Sequence, residues 1–301
     1  MEVSLDLTRT IAVVVDEGTF EAAARRLRVT PSAVSQRVRA LEHQLGRVLL
    51  VRSKPVRATK AGESVVRLAR QLAVLEHDAV LDLGLDDDRA ITLAVAVNAD
   101  SLGTWFLPAL ADVARAHAVV FDLHRDDQDR TAELLEAGEV AAAVTSRAAP
   151  VAGCLTRPLG AMRYEAVAAP HYLSRHRGDS VGANWLHDAP LVQFDQRDEL
   201  QSDYLRSRGV DPMSPPRHVV PATHEFAAAI ALGLGWGMLP EAQSAQGLAD
   251  GTLVRLEGEA IDVPLYWQQW NLSSPVMTAV ADAVFAAAQR ELRPIGLVDR
   301  R

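Results

Sequence analysis

The 301-residue chain contains one cysteine, Cys154. No disulfide can form within it, and a cysteine-rich zinc site is excluded. No stretch approaches the roughly 18 uninterrupted apolar residues of a membrane span. The opening Met1-Glu2-Val3-Ser4 runs into mixed charged sequence, without the basic and then apolar stretches of a secretory leader. There is no P-loop, no G-x-G-x-x-G behind a strand, no H-E-x-x-H and no G-x-S-x-G. An enzyme therefore lacks a motif to carry it. Gly233–Gly237, G-L-G-W-G, follows a helical pattern and reads as a helix-to-strand turn. The sequence has neither tandem repeats nor low-complexity segments. These absences lead to the expectation of a cytoplasmic, soluble, non-enzymatic protein with no membrane contact, metal or cofactor.

What is present is ordinary for a globular chain: 49% hydrophobic and 23% charged residues argue against wholesale disorder. Net charge is −8, but it is unevenly divided. Residues 1–70 hold 13 Lys/Arg against 7 Asp/Glu, a net +6, and the other 231 residues carry −14. A basic head on an acidic body points the head at an anionic partner, double-stranded DNA above all.

Leu5–Asp16 has helical spacing and stops at Gly18. Thr19 caps a second helix through Leu27. Thr30-Pro31 combines a hydroxyl cap with proline at the first helical position, so a third helix runs to about Leu45 before Gly46. Basic and apolar residues alternate around Pro55 in 47–60, which predicts a small hairpin. A long helix over 61–83 carries Val65, Leu68, Leu72, Leu75 and Ala79 at 3,4 spacing, a dimerisation seam. A hinge at 84–88 follows. Beyond it, apolar runs alternate with helical patterns: strands at 91–97, 119–124 and 140–145, with helices at 101–116 and 131–137. A second unit begins near Tyr164. It holds strands at 190–194, 218–221 and 236–239, helices at 199–208 and 225–234, a late strand at 263–270 and a closing helix at 276–292. This alternation predicts an α/β body with a parallel sheet.

Helices two and three have the spacing of a helix-turn-helix. The third presents Thr30, Pro31, Ser32, Ser35, Gln36, Arg37 and Arg39, short and basic as a helix entering the major groove requires. Gln36 suits adenine, and Arg37 or Arg39 suits guanine or phosphate. Arg52, Lys54, Arg57 and Lys60 of the hairpin suit phosphates. A solvated basic face on a structural domain is the alternative.

The stretch Gly18–Arg52, G-T-F-E-A-A-A-R-R-L-R-V-T-P-S-A-V-S-Q-R-V-R-A-L-E-H-Q-L-G-R-V-L-L-V-R, resembles the N-terminal signature of LysR-type transcriptional regulators. The resemblance implies a winged helix-turn-helix (all-α plus a small β wing) over 1–60. It further implies a linker helix and hinge over 61–89, and an α/β effector domain over 90–301. That domain would have two periplasmic-binding-protein-like subdomains, about 90–162 with 269–301, and 163–268. It also implies that Ser32, Ser35, Gln36 and Arg52 face DNA. Gln36 stands where the family commonly has arginine, so base preference there does not carry over. A homodimer or dimer of dimers follows from the resemblance, with RNA polymerase as a candidate further partner.

Four stretches of the body, Ala96–Leu110, Asp126–Val140, Leu159–Tyr164 and Pro264–Trp267, resemble the ArgP/LysG branch. The branch implies lysine, arginine or histidine as effector and an exporter gene as the activated target. A basic amino acid needs an anion pocket and at least one acid. Ser101 opens a helix after a strand, and its hydroxyl and the helix amides suit a carboxylate. Asn98 and Asp100 flank it. Asp126, Asp127 and Thr145 end strands at the same sheet edge, and Asp195, Thr223 and His224 lie at the corresponding edge of the second unit. Capping explains Ser101 and Asp195 equally well, and a solvated loop explains Asp126 and Asp127. His224 stands near a position where the branch tends to carry an acid, with Glu225 next to it. Trp105 and Trp267 read as core, and Cys154 as a small buried hydrophobe, with a redox switch as the alternative. The competing readings are a LysR-type regulator with an unrelated effector, and a binding protein for transport, which the basic head opposes.

Overall fold

The computed structural model describes residues 4–85, 90–125, 128–178 and 182–295; side chains of 128–130 are not described. The chain divides into two compact units. The first is Met1–Val97, Leu110–Arg157 and Trp267–Ala283; the second is Asn98–Ala109, Pro158–Tyr266 and Val284–Arg301. Residues 98–109 and 284–301 thus join the second unit, whereas the sequence reading grouped them with the first half of the body. The hinge expected at 84–88 lies largely outside the described residues.

The first unit begins with α1 (Leu5–Glu17), α2 (Phe20–Leu27), α3 (Pro31–Leu45), a hairpin of β1 (Leu50–Val51) and β2 (Arg57–Ala58), and α4 (Lys60–Asp82). The local signals explain each boundary. Gly18 ends α1 at φ +68°, a backbone that a side chain disfavours. A Cβ there would also stand 2.9 Å from Pro55, because the Val56 amide donates to the Gly18 carbonyl (2.8 Å) and draws the hairpin in. Thr19, Thr30 and Thr59 cap α2, α3 and α4, accepting from the Ala22, Ala33 and Gly62 amides at 3.1–3.2 Å. Ile11, Val14, Ala23, Val34, Val38, Leu41, Leu49 and Val66 close one core. Glu42 accepts from the Leu49 amide (2.9 Å) and fixes the exit of α3 into the hairpin.

The body part of this unit is a parallel arrangement. Ile91–Val97 lies between Val119–Arg125, in register from Ile91↔Val119 to Val97↔Arg125, and Ala142–Thr145, paired Val95↔Ala142. Helix Gln128–Ala137 covers this sheet through Leu134 and Leu135. Arg67 and Arg70 of α4 donate to the Glu136 (3.2 Å) and Gly138 (2.7 Å) carbonyls at its C-terminal end. Cations there offset the helix dipole. Arg70 also donates to Asp16 of α1, so one side chain ties α1, α4 and the body of the unit.

In the second unit, strand Cys154–Ala168 enters from the first and pairs antiparallel with Gly237–Pro240 (Tyr164↔Pro240) and Val254–Arg255. Leu191–Gln193 and Arg217–Val219 form a parallel pair. Helices Leu200–Ser207, Thr223–Ala231 and Glu241–Asp250 surround a core of Val167, Val192, Phe226, Ile230 and Leu239. Strand Ile261–Trp270 and helix Pro275–Glu291 each run from one unit into the other.

Five described elements escaped the sequence reading, two of them very short, the 3-10 turn Asn184–His187 and strand Val254–Arg255. Strand Cys154–Ala168 contains Pro158 and Gly160, which mimic a loop. Helices Pro170–His176 and Glu241–Asp250 are short and weakly patterned. The helix expected over 101–116 starts two residues earlier. It begins at Ala99 with Asn98 as its N-cap and passes through a π-helical stretch, Leu102–Phe106, into Leu107–Ala116. Asp100 in the first turn favours the earlier start.

Candidate DNA-binding surface and effector site

On α3, Ser32, Ser35, Gln36 and Arg39 recur at helical spacing and share the face opposite Val34, Val38 and Leu41. Ser32, Gln36 and Arg39 are exposed and Ser35 is half-buried, whereas Arg37 sits on the flank and is half-buried. Pro31 is exposed at the first position. Thr30 is exposed too, but its hydroxyl is committed to the cap and to the Ser32 hydroxyl (2.9 Å). The Arg52 guanidinium stands 5.8 Å over the Phe20 ring, a cation–π contact that holds the wing against α2. Lys54 and Arg57 are exposed on the hairpin, and Lys60 pairs with Glu63 (3.5 Å). The result is one convex polar face with basic flanks.

Along α4 the expected seam divides. Val65 is 8% exposed and belongs to the core of the head, so it is unavailable to a partner helix. Leu68 (39%) and Leu75 (37%) are exposed, Ala79 is exposed and Leu72 is half-buried. Val66, Val74, His77 and Asp78 are the buried side of the helix.

The effector candidates scatter. Asp126 and Asp127 lie outside the described residues. Thr145 ends its strand in the first unit, buried, and its hydroxyl accepts from the Arg147 amide (3.2 Å), closing a turn. Asn98, Asp100, Ser101, Asp195, Thr223 and His224 all belong to the second unit. Ser101 is not the cap that the sequence suggested: it is inside the helix, 0% exposed, and its Oγ has no hydrogen-bond partner among the described residues. Asn98 Oδ1 is buried in the same condition. Asp195 lies two residues beyond its strand and accepts from the Arg197 (2.7 Å) and Asp198 (3.0 Å) amides, a turn-forming role. Thr223 opens its helix half-buried, and its methyl would stand 3.0 Å from a Cβ on Gly103, so only glycine permits this approach without adjustment. His224 and Glu225 are exposed.

The structure also supplies residues that the sequence reading missed. Tyr164 Oη donates to Asp100 Oδ2 at 2.7 Å. Asp198 accepts from the Phe194 (3.0 Å) and Leu200 (3.2 Å) amides. Gln201, whose amide bears on the Asp198 carboxyl, is 0% exposed, and neither amide atom has a partner at full hydrogen-bond geometry among the described residues. Burial, opposed by the Tyr164 bond and reinforced by Asp198, pushes the Asp100 carboxyl above the usual range. Burial does the same to Asp198, against its backbone bonds. Asp198 and Gln201 flank a helix start, so in the sequence they pass for capping residues.

Trp105 and Trp267 are buried core. Cys154 is half-buried against Ala96, Leu135 and Val140, and burial raises its thiol to about 11. A thiol so poorly ionised is a weak redox centre. Among the described residues no helix is long and apolar enough to cross a membrane, and no His/Cys/Asp/Glu group could hold a metal.

Comparison with known proteins accounts for the whole layout. Residues 5–63 match the lysR family of bacterial regulatory helix-turn-helix proteins, and residues 87–289 match the LysR substrate binding domain. The chain is 45% identical over 286 residues to the lysine export transcriptional regulatory protein LysG of Corynebacterium efficiens, covering 94% of this chain and 97% of that one. The crystal structure of ArgP from Mycobacterium tuberculosis is similar at a TM-score of 0.89 and 43% identity, over 98% of this chain and 100% of that one. Full-length LysG from Corynebacterium glutamicum, solved with its effector arginine bound, is similar at 0.80 and 39%, over 97% and 100%. These relatives are transcriptional regulators, not enzymes, and the chain belongs to the LysR family of bacterial helix-turn-helix regulators.

Proposed function

We propose that the protein is a cytoplasmic DNA-binding regulator whose effector domain senses a basic amino acid, and that it activates an exporter gene for that class of compound. On this reading residues 1–60 bind DNA, 61–89 link and dimerise, and 90–301 hold the effector. The α3 face of Ser32, Ser35, Gln36 and Arg39, with Thr30, Pro31 and Arg37 at its margins, enters the major groove. Arg52, Lys54 and Arg57 follow the phosphates. The open stripe Leu68, Leu72, Leu75 and Ala79 meets its counterpart in a second copy, so Leu72→Asp is expected to leave monomers in light scattering. A dimer there supports head spacing of about one DNA turn.

The observation that carries the effector reading is the acidic, partner-poor polar cluster of the second unit, in a chain resembling a LysG solved with arginine. Asn98, Asp100, Ser101 and Thr223 of the second unit belong to this site, with Asp195 and His224 of the same unit as further contributors. Binding shifts the population of DNA-bound states by its differential affinity for them. The test is a thermal-shift survey of the full chain with all common amino acids. At about 100 times the dissociation constant a ligand adds about 2.7 kcal/mol. Stabilisation by lysine, arginine or histidine alone is the expected outcome. A survey without any of them would point to a LysR-type regulator with an unrelated effector.

A further inference from the structure

We propose that Asp100, Asp198 and Gln201 form the subsite that selects the cationic side chain of the effector, with Tyr164 positioning Asp100 for it. The proposal rests on the basic amino-acid reading above. The four residues come from four separate elements of one unit: helix Ala99–Ser101, strand Cys154–Ala168, the turn after Leu191–Gln193 and helix Leu200–Ser207.

Gln201 is the first reason. Its fully buried amide bears on the Asp198 carboxyl but has no partner at full hydrogen-bond geometry among the described residues, so most of its lost hydration is uncompensated, a cost that native structures rarely accept. A ligand that bonds it removes the cost. The second reason is the company it keeps. Burial first, then the Asp198 charge, raises the cost of ionising Asp100; burial and the Asp195 charge do the same to Asp198, and no cation is among the groups that act on either. Facing Asp100 are Tyr164, whose own proton is held more tightly than usual, and Asp198; facing Asp198 are Asp195, Gln201 and the Phe194 and Leu200 amides. An anionic or hydrocarbon effector would leave these acceptors repelled or unpaired. A guanidinium brings five N–H donors and an ammonium three, and either satisfies them while relieving the repulsion. Because a cation favours the ionised carboxylates, its binding releases a proton to solvent from whichever acid still holds one. Affinity therefore rises with pH through the elevated carboxyl range.

The experiment is calorimetry on the full chain with L-arginine and its neutral isostere L-citrulline, repeated across pH. A charge-assisted bond is worth enough for a preference for arginine of about 100-fold. Asp100→Asn and Asp198→Asn are expected to cut that preference to below about 10-fold, because arginine loses more affinity than citrulline does. Asp198 also holds the start of a helix, so Gln201→Leu serves as an independent variant: a neutral amide serves both ligands, and both are expected to bind more weakly. Tyr164→Phe is expected to shift the pH profile of arginine binding rather than abolish it. An unchanged arginine-to-citrulline ratio in Asp100→Asn, or a Gln201→Leu variant that binds both ligands as tightly as wild type, overturns the subsite while leaving the effector reading intact. Wild-type protein that binds none of lysine, arginine and histidine overturns both.

Discussion

At the DNA-facing end, the outward side chains come from one short stretch, Thr30 to Arg57, and most are exposed. Those with a fixed place take it from a near neighbour: Thr30 from its cap, Ser32 from the Thr30 hydroxyl, Arg52 from the Phe20 ring. In the second unit, the polar cluster draws on residues from Asn98 to Thr223, and several of its atoms are buried without partners. A duplex is a large, uniformly charged surface, and an exposed convex face with mobile cations meets it with little desolvation cost. A small zwitterion has few atoms, so discrimination must come from enclosed groups whose bonds it alone completes. The contrast is between a face finished before its partner arrives and a site that the ligand finishes.

Leu41→Ala should test the independence of the two regions most severely. Leu41 is 0% exposed in the core of the head, so truncation costs about 2–5 kcal/mol. Thermal melts should show the loss together with operator binding, while calorimetric effector affinity stays unchanged. Loss of effector affinity as well would mean that the regions are not separable.

Arg52→Ala should give a smaller effect confined to DNA. Affinity should fall for all sequences alike, and the slope of log affinity against log salt should drop by about 1. An unchanged slope in a salt titration would remove Arg52 from the phosphate contacts.

Asp100→Asn should have the smallest effect on stability, and its sign sharpens the contrast. A carboxyl whose folded value is raised binds its proton more tightly when folded, so it stabilises at low pH and loses that contribution as pH rises through the elevated range. The free variant should therefore melt no lower than wild type at neutral pH, and the wild type should lose its advantage as pH rises. A clear loss of stability at neutral pH would make Asp100 structural.

Much of this was legible in the residues. Thr19 and Thr30 ahead of helices, Gly18 and Gly46 behind them, and Pro31 at a first turn are local signals, and the structure keeps them. Val65 shows the limit. Its spacing matches Leu68 and Leu72, but α1 and the hairpin reach only the first turns of α4, and they bury Val65 alone of the three. Ser101 shows another, since a serine behind a strand looks like a cap until the helix is found to start two residues earlier.

By itself the sequence determined the head: its helices, their caps, its basic face and its family, because those depend on residues within a few turns of one another. It also determined the alternation of strands and helices in the body. Only the tertiary structure decided that Asp100 meets the Tyr164 hydroxyl and lies within reach of Asp198, and that Gln201 is fully buried against the Asp198 carboxyl. Burial and pairing between residues that far apart in the chain are properties of the folded surface, and no periodicity or spacing encodes them.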